Sequence, residues 1–157
     1  MLLLAPKIYH SQFLNVSKNT YLKKKPITGS YDDLGINRVK SELNEYVNEA
    51  FEEEIKTLLE QYENLRPQEL ASDQLIEIVR AAIVGRVQTL FVEENRIIPG
   101  KIDLINKKII TKELSDPEYN DILDELVKLT LEKSGKVFVL SKEKMPTDSG
   151  SAAIYRY

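Results

Sequence analysis

The sequence predicts a layered α/β domain, and three observations carry that prediction. The first is a helical apolar stripe that changes to strand spacing across one glycine in residues 72–92. Leu75, Ile76, Val79, Ala82 and Ile83 recur at three-and-four spacing, which lays an apolar stripe along one helix face. Gly85 ends that helix, since glycine takes the left-handed conformation at a helix C-terminus without a Cβ penalty, and Arg86 beside it is placed to complement the helix dipole. Val87, Thr89, Leu90, Phe91 and Val92 then form a nearly continuous apolar run, the pattern of a strand covered on both faces. The second observation is a repeat of the device: Ile122, Leu123, Leu126, Val127, Thr130 and Leu131 line a helix, Gly135 closes it, and Val137 to Leu140 follow as a strand. The third is a long helical period in residues 36–62. Helix–glycine–strand used twice makes a parallel or mixed sheet the expected centre of the fold.

Taken in order, residues 2–5 read as a short strand, with Ile8, Tyr9, Phe13 and Val16 on one side of a short helix after Pro6, and Tyr21 and Leu22 opening another strand. This β-α-β piece has too little apolar surface to be a domain alone, so residues 1–34 read as the end of a preceding domain plus a linker, punctuated by Pro26, Gly29, Asp32 and Asp33. The α/β domain is expected over 35–157. Ile36, Val39, Leu43, Tyr46, Val47, Ala50, Ile55, Leu58, Leu59 and Tyr62 predict one long helix, about 40 Å at ~1.5 Å per residue, packed on a sheet and partly projecting beyond it. Arg66 and Pro67 end it, and Ser72 or Asp73 is expected to cap the next. Ile97, Ile98 and Ile102 resume extended character around Pro99 and Gly100, and Ile109 and Ile110 make an edge strand guarded by lysines. Asp116-Pro117-Glu118 has the composition of a helix start. A polar loop over 142–151 precedes a last strand, Ala152 to Tyr155.

With 157 residues, 42% apolar and 30% charged, the chain has the make-up of a soluble globular protein. It has no cysteine, which excludes disulfides and thiolate metal sites and favours a cytoplasmic setting. The apolar start at Leu2 to Leu4 stops at Pro6 and Lys7, far short of a membrane span. The net charge of −3 hides an uneven distribution: residues 1–30 carry +5 and no acid, whereas 31–70 carry −7, the pattern of a solvated acidic helix face.

Chemistry-bearing constellations are sparse. His10 is the sole histidine, so a histidine triad or multi-histidine metal site has no support. Glu52, Glu53 and Glu54 spread around a helix at about 100° per residue instead of converging. Asp121, Asp124 and Glu125 share part of a face and read as solvated surface before they read as a metal site. No Walker or Rossmann glycine pattern occurs, so no nucleotide cofactor is expected. Lys23, Lys24 and Lys25 with Tyr21 could meet RNA by charge and stacking; the alternative is an ordinary solvated linker.

Five segments are more specific: residues 81–92 (AAIVGRVQTLFV), 98–103 (IPGKID), 135–140 (GKVFVL), Met145-Pro146, and 151–157 (SAAIYRY). Together and in this order they resemble the C-terminal domain of the bacterial archaeo-eukaryotic release-factor superfamily, related to pelota, with residues 1–30 similar to the end of the preceding middle domain. The resemblance implies a three-layer α/β/α sandwich with a mixed central sheet, like the kink-turn-binding ribosomal-protein fold. It also implies a noncatalytic interaction domain in translation termination or ribosome rescue, with a translational GTPase or the ribosome as partner. The family's hydrolytic middle domain carries a Gly-Gly-Gln loop; no Gly-Gly pair occurs in this sequence, so that route to peptidyl-tRNA hydrolysis is not expected of it. Candidate contacts are the tip 142–149, with Lys142, Lys144 and Met145, and the outer face of the long helix. RNA binding through Tyr21, Lys23, Lys24 and Lys25 is the alternative.

Overall fold

A computed structural model describes residues 1–23, 25–110 and 120–157. It divides into two compact units, residues 1–56 and 57–157.

In the first unit, β1 (Leu4–Ala5) pairs in parallel with β2 (Ile27–Thr28), and α1 (His10–Val16) lies between them in the chain. The expected β-α-β order is present, but the second strand falls at Ile27, not at Tyr21. Residues 19–22 instead form a turn in which Asn19 Oδ1 accepts from Tyr21 N at 2.9 Å, an Asx closure that competes with strand formation. Helix α2 (Tyr31–Leu65) is broken at Gly35 (φ 65°, ψ 160°), so its regular part begins at Ile36, where the helical period begins. Its apolar stripe is only partly covered. Val39 and Ile55 are buried, whereas Ile36, Leu43, Val47 and Phe51 are exposed.

The second unit is an α/β/α arrangement. Its four-stranded mixed sheet has the order β3 (Ala71–Ser72), β9 (Ser151–Tyr155), β4 (Val87–Glu93), β8 (Lys136–Leu140). Strand β4 is parallel to β8 and antiparallel to β9. On one face, Leu90 and Val92 of β4 with Ala153 of β9 join Ile78, Val79 and Ala82 of α3 (Leu75–Ile83) and Ile122, Leu123 and Leu126 of α4 (Ile122–Glu132). On the other face the last turns of α2 bring the fully buried Tyr62 edge-on to Phe91, 6.4 Å between ring centroids, and Phe91 meets Phe138 at 6.1 Å. The period-2 alternation of β4 thus feeds two apolar layers, as its continuous apolar run predicts. A three-stranded sheet, β6 (Lys108–Ile110), β5 (Pro99–Asp103), β7 (Asn120–Asp121), adjoins α4. Among the described residues β6 is one edge of this sheet, with exposed Lys107 and Lys108 at its start. The predicted helix start at 116–118 lies outside the described residues; the described helix begins at Ile122.

Three local expectations are corrected. Neither Ser72 nor Asp73 is the N-cap of α3: the cap is Gln74, with no side-chain bond, and Ser72 instead accepts from Gln74 N (3.1 Å) and donates to Glu77 (2.5 Å). Arg86 does not spend its charge on the end of α3. Its guanidinium lies 5.4 and 5.5 Å from the ring centroids of Tyr155 and Tyr157 and donates to the Tyr157 carbonyl. The helix-end role belongs to Arg156, which donates to the Lys133 and Ser134 carbonyls at 2.9 and 3.0 Å after α4. Finally, the two helix stops differ. Gly85 is left-handed (φ 74°), but after α4 the left-handed residue is Ser134 (φ 59°). Gly135 is needed for space, since a Cβ there would stand 2.6 Å from Thr130 Cγ2 and 3.0 Å from the Val87 carbonyl.

Gly135→Ala should therefore destabilise the protein by about 1–3 kcal/mol through that clash, whereas Ser134→Gly should stabilise it by up to about 1 kcal/mol by relieving the left-handed strain. Urea unfolding of the two variants checks both signs; equal effects would contradict the distinction.

Candidate functional site

The parallel pair β4 and β8 ends in two loops at the same end of the sheet, residues 94–98 and 141–150. Open α/β sheets bind ligands outside the carboxyl ends of their strands. The predicted contact residues Lys142, Lys144 and Met145 lie in the second of these loops. Two backbone bonds tie the loops to the ends of these strands: Glu93 N of β4 donates to the Gly150 carbonyl (3.0 Å), and Glu94 N to the Leu140 carbonyl of β8 (2.8 Å). Arg96 supplies the side-chain clamp, donating to Glu93 Oε2 at 2.8 Å and to the Asp148 carbonyl at 2.9 Å. Gly150 (φ 87°) lets it pass, because a Cβ there would stand 2.4 Å from Arg96 Cδ. Within the loop Ser149 Oγ donates to the Ser151 carbonyl at 2.7 Å.

This scaffold presents a short 3-10 turn, Lys142–Lys144, with both lysines exposed and Met145 half-buried. The Glu143 carboxyl is held below its ordinary value by its own backbone N–H, then by the Ser141 side chain and the Lys142 charge. The loop is thus an ordered surface of mixed charge. The sequence predicts a polar loop here but gives no sign of its clamp, since Arg96 and the Asp148 carbonyl it reaches are 52 residues apart.

The basic segment is less uniform than its sequence. Tyr21 is 80% exposed, and its carbonyl accepts from the N-terminal ammonium at 2.9 Å. Lys23 is exposed; Lys24 lies outside the described residues. Lys25 pairs with Glu49 at 2.6 Å, a bond that raises its pKa and takes its charge out of the free basic run. His10 Nε2 donates to the Ala5 carbonyl at 2.6 Å, tying α1 to β1.

Of the acids expected as solvated surface at α4, Asp124 is exposed, but Asp121 and Glu125 are half-buried and structural. Asp121 caps the helix through Leu123 N (3.1 Å) while also accepting from Ile98 N (2.9 Å), and Glu125 accepts from Ile102 N (2.8 Å). These carboxylates stitch α4 to the segment entering and forming β5. Among the described residues no group of His, Asp and Glu is disposed to hold a metal ion, and no helix is long and apolar enough to cross a membrane.

At the opposite end of the four-stranded sheet, a cleft of about 600 Å³ is lined by residues that include Arg66, Ser72, Asp73, Arg86 and Tyr155. Much of its polarity is spent internally: Arg66 pairs with Asp73 at 3.1 Å, Ser72 with Glu77, and Arg86 with the Tyr157 carbonyl. It anchors the chain after β9.

Solved structures share this fold. Archaeoglobus fulgidus Pelota matches over 99% of this chain and 48% of its own, at 19% identity and a TM-score of 0.52. An archaeal Pelota, in a model of its ribosome-bound assembly with ABCE1, matches over 99% and 43%, at 22% identity and 0.58. The C-terminal domain of a Methanosarcina mazei peptide chain release factor matches over 74% and 94%, at 18% and 0.50. At these identities the likeness shows the fold, and the chain spans less than half the length of either Pelota. A comparison with curated protein sequences returned no match.

The family model for bacterial archaeo-eukaryotic release factor family 3 matches residues 1–86, more than half of the chain, and the chain belongs to that family. The matched region holds the β-α-β piece, α2 and α3, and meets the segments that carried the sequence resemblance only at 81–86.

One buried group yields a test of the sheet's second face. The Tyr62 hydroxyl is enclosed, without a hydrogen-bond partner among the described residues. Burial first, then the Asp73 charge, pushes its pKa from 10.0 to about 12. The folded state holds this proton more tightly than the unfolded chain, so this contribution is complete below pH 10.0 and is lost as pH rises towards about 12. Tyr62→Phe should remove that part of the alkaline loss and add about 1 kcal/mol at neutral pH by deleting an unsatisfied buried group. Urea unfolding at pH 7 and across the alkaline range measures both.

Proposed function

We propose that this chain is a noncatalytic interaction domain of a release-factor-like, ribosome-associated protein in translation termination or ribosome rescue. Residues 1–34 belong to the end of a preceding domain and its linker, and 35–157 form the docking domain. Membership of a release-factor family is the observation that carries this reading. The ordered tip over 142–149 supports it further, being a polar, backbone-clamped surface with no set of groups for bond-breaking chemistry. The partner it meets is the ribosome or a translational GTPase, and the setting is cytoplasmic. Lys142 and Lys144 supply charge at the contact, and Met145 supplies adaptable apolar area.

A second reading, RNA binding through Tyr21, Lys23, Lys24 and Lys25, draws on the exposed Tyr21 ring beside Lys23. The Lys25–Glu49 pair counts against it.

Sucrose-gradient sedimentation with purified bacterial ribosomes at low salt tests the first reading. The chain should travel with ribosomes, and Lys142→Glu with Lys144→Glu should return it to the top fractions, while Lys23→Glu has little effect. Loss of co-sedimentation through Lys23→Glu alone, with the tip variant unaffected, would transfer the function to the basic segment. Absence of the chain from ribosome fractions, alone and joined to upstream domains, would overturn ribosome association.

A further inference from the structure

The hairpin of β5 and β6 carries a feature that neither the fold nor the tip at 142–149 uses. Its turn exposes two aliphatic side chains in succession, Leu104 at 57% and Ile105 at 91%. A solvent-facing turn is ordinarily built from polar residues and glycine, and these two positions contribute nothing to the core.

The turn that holds them is tightly organised. Asp103 Oδ1 accepts from the backbone N–H groups of Ile105 and Asn106, both at 3.0 Å, and Asp103 Oδ2 accepts from the Asn106 side chain at 2.7 Å. These bonds, the Asn106 side chain first, hold the Asp103 carboxyl below its ordinary value. Lys107 closes the turn in the left-handed region, φ 52°. The apolar pair is therefore presented on a preorganised support, which lowers the ordering cost of binding.

Charge around the pair is mostly positive, although the Asp103 carboxylate, which feels the Lys108 charge, keeps its own negative charge within the turn. Lys101, Lys107 and Lys108 are exposed on the hairpin, and its single acid, Asp103, is occupied by the turn.

We infer that this hairpin tip is a second docking element, which inserts Ile105 and Leu104 into an apolar pocket on an acidic protein surface while the three lysines meet the acidic rim. The side chains favour a protein over other occupants. Single-stranded RNA is gripped by aromatic stacking, and the tip has no aromatic ring. Two aliphatic side chains are also too little apolar surface to hold a protein on lipid. The charge complementarity selects an acidic partner and predicts salt-sensitive binding.

The test places a benzophenone amino acid at position 105 of the full chain, and at exposed Lys128 on α4 as a control, followed by irradiation in bacterial cells and mass-spectrometric identification of adducts. The expected result is a discrete protein adduct from position 105, absent from position 128, on a peptide from an acidic surface. That protein, purified, should bind the chain, and Ile105→Ser should weaken binding at least about tenfold. Lys107→Glu with Lys108→Glu should weaken it further, and added salt should weaken the unsubstituted complex. Unchanged thermal unfolding of the variants would assign these losses to the interface. Adducts to RNA or lipid alone, no adduct specific to position 105, or a partner whose affinity is unmoved by Ile105→Ser would each overturn the proposal. Ribosome co-sedimentation that survives Ile105→Ser separates this outcome from the fate of the 142–149 tip.

Discussion

Burial of strand β4 on both faces is the constraint on which the rest of the second unit depends. Leu90 and Phe91 are both fully enclosed, pointing to opposite layers. Each layer must then be supplied: α3 and α4 cover the Leu90 side, and the end of α2, through Tyr62, covers the Phe91 side. The neighbouring strands follow the same requirement. Ala152 and Ala153 of β9 are wholly buried beside β4, and their small size lets helices approach the sheet at that point. A central strand with a polar face would have allowed a two-layer fold, with no demand on α2.

The same constraint sets where function can reside. With both faces of β4 committed to packing, the surface left to this sheet is its edges and strand ends. The carboxyl ends of β4 and β8 meet there, and Arg96, Gly150 and the paired backbone bonds convert two loops into one ordered surface. At the other end, Arg86, Tyr155 and Tyr157 close upon one another. One end is thus spent on tying down the chain, and the other remains available for contacts.

Much of this was legible in the sequence because it rests on periodicity. The run from Val87 to Val92, the helical stripe of α3 and the repeat at Gly135 predicted the layers and the mixed sheet, all elements long enough to repeat their pattern. What escaped prediction was short or distant. Strand β3 has two residues and exists only through its pairing with β9; Ile27 becomes a strand only by meeting Leu4. Gly85 and Gly135 looked alike because a sequence cannot distinguish a glycine needed for its backbone angle from one needed for the space beside Thr130. Arg86 was assigned to a helix end for a related reason: proximity to a helix end in sequence is not proximity of the guanidinium to its carbonyls. The tip at 142–149 could be named from composition, but its clamp by Arg96 lies 52 residues away.

Hydrogen–deuterium exchange of the chain with and without purified bacterial ribosomes locates a ribosome contact without altering a residue. Exchange should slow largely over residues 141–150, with the strands of the sheet unchanged. Unaltered exchange over 141–150 in a ribosome-bound sample, with protection appearing elsewhere, would contradict docking through the tip.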